Sequence, residues 1–237
     1  MKFLPSALLA RVPGLIHAFG QRIGGSREEA RGAARWALRD RGDLFFLKQV
    51  HGCAVVRAPF EGAPEADASL TETPGSLLAI ETADCLPILI VDPIDHRVAA
   101  AHAGWRGTVA GVVQAAVREL IAAGSQPRDL LAVLGPAIGP CCYEVGDDVE
   151  DAFGEKGAKF LQPAKGKRKH LDIAAANREQ LIGAGVDPAR IERLDLCTMC
   201  RADLFFSYRR DGAGAGRMIS VVGFGRLAVS SRLEPQS

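Results

Sequence analysis

A chain of 237 residues that sets 29 lysines and arginines against 28 aspartates and glutamates has a formal net charge of +1, too little field to gather a polyanion such as DNA or RNA. Its 48% hydrophobic and 24% charged residues are those of a folded globular protein, which excludes a disordered or fibrous chain. Six cysteines over this length do not make a small disulfide scaffold, and adjacent Cys141 and Cys142 are poorly placed to bridge each other, so a reducing, cytoplasmic setting is expected.

Along the chain, the apolar patch at Leu8 and Leu9 is broken by Arg11 with no cleavage site behind it, so no secretory signal is expected. Gly20 to Gly25 reads as a loop, after which Ser26 and Glu29 form a capping box opening a helix that should end near Gly42. A strand over Leu44 to Leu47 delivers Lys48, Gln49, Val50 and His51 to a turn at Gly52.

In the middle third, Leu77 to Ile80, Pro87 to Val91 and Val98 to Ala101 are short apolar runs, expected as adjacent strands of one buried sheet. Asp92, Asp95 and Arg97 interrupt this region well before the roughly 20 apolar residues a bilayer requires, so no membrane partner is expected. Apolar residues from Val109 to Ile121 recur at helical spacing, predicting one helix that stops at Gly124.

Leu130 to Leu134 is a further strand, running into the glycine-proline loop Gly135 to Pro140. A short helix follows over Asp147 to Phe153, and the basic cluster Lys165 to His170 reads as a solvated loop. Asp172 caps a helix reaching Ile182, and strands are predicted over Phe205 to Tyr208 and Met218 to Val222. Without repeats or a linker, the economical architecture is one α/β (α+β) domain over residues 1–237, a mixed sheet flanked by helices.

His51, Cys85 and His102 each lie beside an apolar strand, where their side chains can converge at a sheet edge. Two imidazoles and a thiolate suit a catalytic zinc with an open fourth position. The same residues also suit a thiol nucleophile, with His102 lowering the pKa of Cys85, and spacing does not separate the two. Cys197-Thr198-Met199-Cys200 looks like half a zinc ribbon, but no second pair at ribbon spacing accompanies it, so it is read as structural, with Cys141 and Cys142 offering backbone amides to a pocket.

Several ordered motifs then carry a resemblance: Lys48-Gln49-Val50-His51-Gly52, Thr82-Ala83-Asp84-Cys85-Leu86-Pro87, Ala101-His102-Ala103-Gly104-Trp105-Arg106-Gly107, Gly135 to Val145, Cys197-Thr198, Phe205 to Arg210, and Gly216-Arg217. Together they resemble the laccase-domain family, also called multicopper polyphenol oxidase or YfiH-like proteins, across nearly the entire chain. Gly20-Gln21-Arg22 departs from the Ser-Thr-Arg expected in the early loop.

The resemblance implies a layered fold related to cysteine-hydrolase-like proteins and a zinc held by His51, Cys85 and His102, a set that copper could also occupy. It implies phosphorolysis of adenosine, inosine and methylthioadenosine, with adenosine deamination as a second activity. A true multicopper oxidase needs far more imidazoles than the 5 histidines present. The expected partners are purine nucleosides and phosphate, met by a monomer or weak homodimer.

Phosphate suits Arg106, beside a glycine turn and a helix N-terminus; the plainer reading is a surface arginine covering Trp105. Asp84 is a candidate acid, base or ligand-orienting group, with Cys85 and Arg106 as the other catalytic candidates. Lys48, Gln49, Tyr143 and Glu144 are candidate substrate contacts, as are Arg209 and Arg210, whose alternative is pairing with carboxylates of the protein. Two alternatives stay open: a Cys85-His102 amidase of peptidoglycan precursor editing, and a non-catalytic metal-binding module.

Overall fold

The computed structural model describes residues 3–163 and 168–226. Strands β1 (Phe3–Leu4), β2 (Leu15–Gly20), β3 (Asp43–Phe46), β6 (Ser76–Thr82) and β14 (Met218–Phe224) build a five-stranded sheet in the order β1-β2-β14-β6-β3. Strands β4 (Val55–Arg57), β5 (Ala68–Thr71), β7 (Leu86–Asp92), β8 (Arg97–Ala103), β9 (Leu131–Leu134) and β13 (Ile191–Arg193) build a six-stranded sheet in the order β13-β9-β7-β8-β5-β4. Both are mixed: β3 runs parallel to β6, β4 to β5 and β13 to β9, while the other pairs are antiparallel. A small third sheet joins β10 (Glu144–Val145), β11 (Leu161–Pro163) and β12 (Lys169–Leu171).

The two large sheets face each other. Leu78, Ile80 and Val222 of the first pack with Leu89, Val91, Val98, Ala100 and Val133 of the second in one buried cluster. Successive strand residues point to opposite faces, so Ile88 and Ile90 face the other way, against Val113, Ala116, Val117 and Leu120 of helix α3 (Val112–Ala122). Ala79, Ile219 and Val221 likewise turn outward to Ala30 and Ala34 of α1 (Arg27–Leu38). Strands covered on both faces read as unbroken apolar runs, which is why β6, β7 and β8 look alike in sequence.

That likeness hides a layer change. The three runs are not neighbours in one sheet: β7 and β8 pair, but β6 belongs to the facing sheet. The chain crosses between layers at Ala83-Asp84-Cys85, where Asp84 adopts φ 92. Nor is the helix from Val109 to Ile121 continuous. Gly111, at φ 79, separates α2 (Trp105–Ala110) from α3, and only glycine takes that conformation without a Cβ penalty. The predicted strand at Phe205 is instead a core-filling turn: Phe205 and Phe206 pack on Met218, and Ser207 caps the short helix α6 (Tyr208–Asp211) by accepting from the Arg210 amide at 3.2 Å.

Other expectations match. Ser26 and Glu29 make the reciprocal capping box, although α1 stops at Leu38. Helix α4 (Asp147–Gly157) is bent at Gly154, and Asp172 caps α5 (Ile173–Gly183) through the Ala175 amide at 2.8 Å. Lys165 to Lys167 of the basic cluster lie outside the described residues; the solvated-loop reading does not hold for Lys169 and His170, which pair in β12 between β10 and β11, while Arg168 and Lys169 meet Glu144 and Glu150. Among the described residues no helix is long and apolar enough to cross a membrane.

Candidate active site

The antiparallel register of β7 and β8 sets Leu86 opposite Ala103 and Pro87 opposite His102, which brings Cys85, at the head of β7, beside the end of β8. His51 approaches from the loop after β3. Its Nε2 lies 3.9 Å from the Cys85 sulfur, its ring centroid is 4.8 Å from that of His102, and the candidate ligand atoms of all three lie within 4.8 Å of one another. Gly104 makes this approach possible, because a Cβ there would stand 2.9 Å from His51 Cδ2 and 3.1 Å from Cys85 Sγ.

A buried carboxylate that the sequence reading overlooked organises the cluster. Asp67, fully buried at the head of β5, accepts the amides of Val50, His51 and Gly52 at 3.1, 2.9 and 2.7 Å. Those bonds hold His51 at φ 63, a left-handed conformation costly for a residue with a Cβ. Asp67 Oδ1 also receives His102 Nδ1 at 2.8 Å, which leaves Nε2 of His102 free. Its only sequence signal is an aspartate placed just before an apolar strand.

Electrostatics follow from the crowding. Burial pushes the Cys85 thiol up, but His102 and His51 outweigh it and bring it down to about 6. Burial lowers His102, yet Asp67 and Cys85 raise it to about 9. The trio therefore favours a thiolate facing an imidazolium, and a divalent cation can take the place of the protons. Two imidazoles and a thiolate with one open side match zinc, whose bonds to nitrogen and sulfur run about 2.0 to 2.3 Å, and the present separations suit one shared ion. Copper is compatible with the same donors.

The trio opens into a cavity of about 400 Å³ lined also by Gln49, Asp84, Tyr143, Arg209 and Arg217. Gln49 pairs its amide with the Glu81 backbone in both directions, at 2.8 and 2.9 Å. Asp84 is buried; its carboxylate accepts Thr198 Oγ1 at 2.5 Å, Ser207 Oγ at 3.0 Å and the Arg209 amide at 2.7 Å. The Arg209 guanidinium lies over the Tyr143 ring at 5.4 Å and donates to the Glu144 carbonyl at 2.8 Å. Burial pushes the Tyr143 phenol well above its usual range, so it stays protonated.

Two expected contacts stand apart. Lys48 is exposed and paired with Glu65 at 2.7 Å, and Arg106 is exposed with its guanidinium 4.3 Å above the Trp105 ring; neither lines the cavity. Arg210 is drawn instead to Asp211 and to the carbonyls of Thr198, Met199 and Phe205. Residues the sequence did not point to include Arg27 and Glu81 on the cavity wall, with Glu81 nearly buried and gripped by Arg31 through two contacts of 2.9 and 2.5 Å. Cys141 and Cys142 do not line this cavity.

Residues 24–225 match the family described as multi-copper polyphenol oxidoreductase laccase. The chain is 40% identical to a purine nucleoside phosphorylase of Deinococcus radiodurans, over 94% of this chain and 95% of that protein. It is 40% identical to adenosine deaminase RL5, from an unknown prokaryotic organism, over 75% of this chain and 74% of the other. Among solved structures, the hypothetical protein YfiH of Bacillus licheniformis superposes with a TM-score of 0.83 at 29% identity, covering 90% of this chain and 94% of that one.

Proposed function

Since the chain belongs to the multi-copper polyphenol oxidoreductase laccase family, we propose that it is a zinc-dependent purine nucleoside phosphorylase acting on adenosine, inosine and methylthioadenosine, with adenosine deamination as a second activity, working as one unit over residues 1–237 in the cytoplasm. The observation that carries this reading is the convergence of His51, Cys85 and His102 on the floor of a nucleoside-sized cavity whose wall bears arginines. The activities for which the relatives are named support it.

In this reading His51 Nε2, Cys85 Sγ and His102 Nε2 hold the metal. Asp67 keeps the His102 proton on Nδ1, which fixes the tautomer that ligation needs. The bound zinc would supply Lewis-acid polarisation at the open face of the site. Tyr143 presents a half-buried ring to the purine and a protonated hydroxyl as donor. Arg209 and Arg217, within the cavity, meet phosphate, and Arg106 draws the anion from beside Trp105. Asp84, with both oxygens engaged, positions Ser207 and Arg209. Gln49 braces the cavity wall through Glu81, and Lys48 steadies the His51 loop through Glu65.

The thiolate-favouring surroundings of Cys85 support a second reading, a metal-free amidase acting on a peptidoglycan precursor. One experiment separates the two. Zinc-loaded protein is incubated with adenosine, with and without phosphate, and again after chelation. Phosphate-dependent adenine and ribose 1-phosphate, lost on chelation and restored by zinc, support phosphorolysis; inosine supports deamination. Chelated protein that cleaves a muropeptide amide while sparing nucleosides would establish the amidase instead, and inactivity towards both substrates would leave a metal-binding module.

A further inference from the structure

A second cluster of soft ligands lies outside the cavity. The sulfurs of Cys141, Cys142, Cys197 and Cys200 all fall within 4.8 Å of one another, with Cys200 Sγ 3.6 Å from Cys141 Sγ and 3.4 Å from Cys142 Sγ. This corrects the sequence expectation that Cys197 and Cys200 lack a partner pair: two neighbouring cysteines on the glycine-proline loop complete the set, a pairing that ribbon spacing does not reveal. None of the four is in a disulfide.

We propose that Cys141, Cys142, Cys197 and Cys200 hold one structural zinc ion as four thiolates. Four sulfurs around zinc, each about 2.3 Å from it, define a tetrahedron with edges of about 3.8 Å, close to the separations present and far too tight for the sulfurs of a multi-iron cluster. The Gly139 amide donates to Cys197 Sγ at 3.3 Å, a bond suited to a metal-bound thiolate in a Cys-X2-Cys turn. A divalent ion binds the four as thiolates, and their protons pass to solvent.

The ion joins two stretches that both reach the cavity. Ala137 pairs with Cys197 in an isolated parallel bridge, the Thr198 amide donates to Ala137 at 3.0 Å, and the Thr198 hydroxyl holds Asp84. Ile138 and Tyr143, flanking the first cysteine pair, line the cavity wall. The zinc is thus a structural pin that sets the Tyr143 loop against the segment anchoring Asp84. It is independent of the ion assigned to His51, Cys85 and His102.

The full-length double variant Cys85→Ser, His102→Ala removes two ligands of the first site and leaves the thiolates alone. Purified without chelator under reducing conditions, it should retain one zinc per chain by native mass spectrometry, with a sulfur-only shell at about 2.3 Å by X-ray absorption. Adding Cys200→Ser should abolish that zinc. A folded double variant with no zinc, or with nitrogen in the shell, overturns the proposal.

Wild-type protein supplies a readout that needs no variant. In peptide-mapped alkylation, Cys141, Cys142, Cys197 and Cys200 should react at least tenfold more slowly than exposed Cys53 until a chelator is added. Reaction as fast as Cys53 before chelation, or a disulfide among the four in freshly reduced protein, also overturns it.

Discussion

At the scale of single residues, Asp67 shows how one buried carboxylate can hold two candidate ligands at once. It accepts three backbone amides that hold the His51 loop and one imidazole N–H that orients His102. Losing a partner that orients a metal ligand typically weakens metal binding by about 10–100-fold. Asp67→Asn keeps the shape but gives up the charge, so zinc affinity at the His51 site should fall within that range in a chelator-competition titration; unchanged affinity would remove Asp67 from the assigned role. Arg209 permits a second test. If its guanidinium meets phosphate, Arg209→Ala should raise KM for phosphate about tenfold or more, a loss of about 1.4 kcal/mol, with a much smaller change for nucleoside. Arg106→Ala should have the weaker effect on phosphate, and the reverse order in steady-state kinetics would return the anion site to Arg106.

At the scale of elements, the breaks matter as much as the periodic stretches. Gly111 at φ 79 lets α2 carry Trp105 and Arg106 beside the site while α3 lies along the six-stranded sheet. An alanine there meets a left-handed backbone, and its Cβ comes within 2.8 Å of the Gln114 side-chain amide oxygen. Gly111→Ala should therefore cost about 1–2 kcal/mol in urea unfolding, whereas Gly183→Ala, in helix α5 with nothing within 4 Å of its Cβ, should not destabilise. Equal midpoints for the two variants would show that the helix joint tolerates a continuous helix. The layer change at Asp84 belongs to the same scale, since one residue at positive φ, Asp84 at φ 92, lies where what reads as one sheet becomes two.

At the scale of the whole molecule, the N-terminal segment fastens one sheet to the other. Glu192 of β13 accepts from Ser6 Oγ and from the Leu8 amide, while the Ser6 amide donates to Nε2 of His17 in β2. Burial lowers the His17 pKa below its ordinary 6.5, against the raising charge of Glu192, so the folded protein holds it neutral. The unfolded chain then binds the proton more readily. The His17 contribution to stability is complete above pH 6.5 and is lost as the pH falls through the lowered folded value, with a slope of at most about 1.4 kcal/mol per pH unit. Urea midpoints measured from pH 8 downward should show this loss in the wild type, and the difference from His17→Gln should vary with pH only below about 6.5. A constant difference would mean that His17 titrates alike in both states.

The same scale separates what the chain announces from what folding decides. The capping box at Ser26, the apolar strands and the ordered motifs around His51, Cys85 and His102 are local or periodic signals, and they sufficed for the fold class and the family and for naming three residues that the fold brings together. Partnership between distant segments was not legible. Asp67 is one aspartate among many until β5 pairs with β8, Cys141 and Cys142 have no meaning for Cys197 and Cys200 until Ala137 bridges to Cys197, and Arg209 differs from Arg106 only by which of them the folded chain turns toward the cavity. Local sequence sets backbone preference and periodic burial, but the pairing of side chains far apart in the chain is settled by sheet register and by how the layers stack.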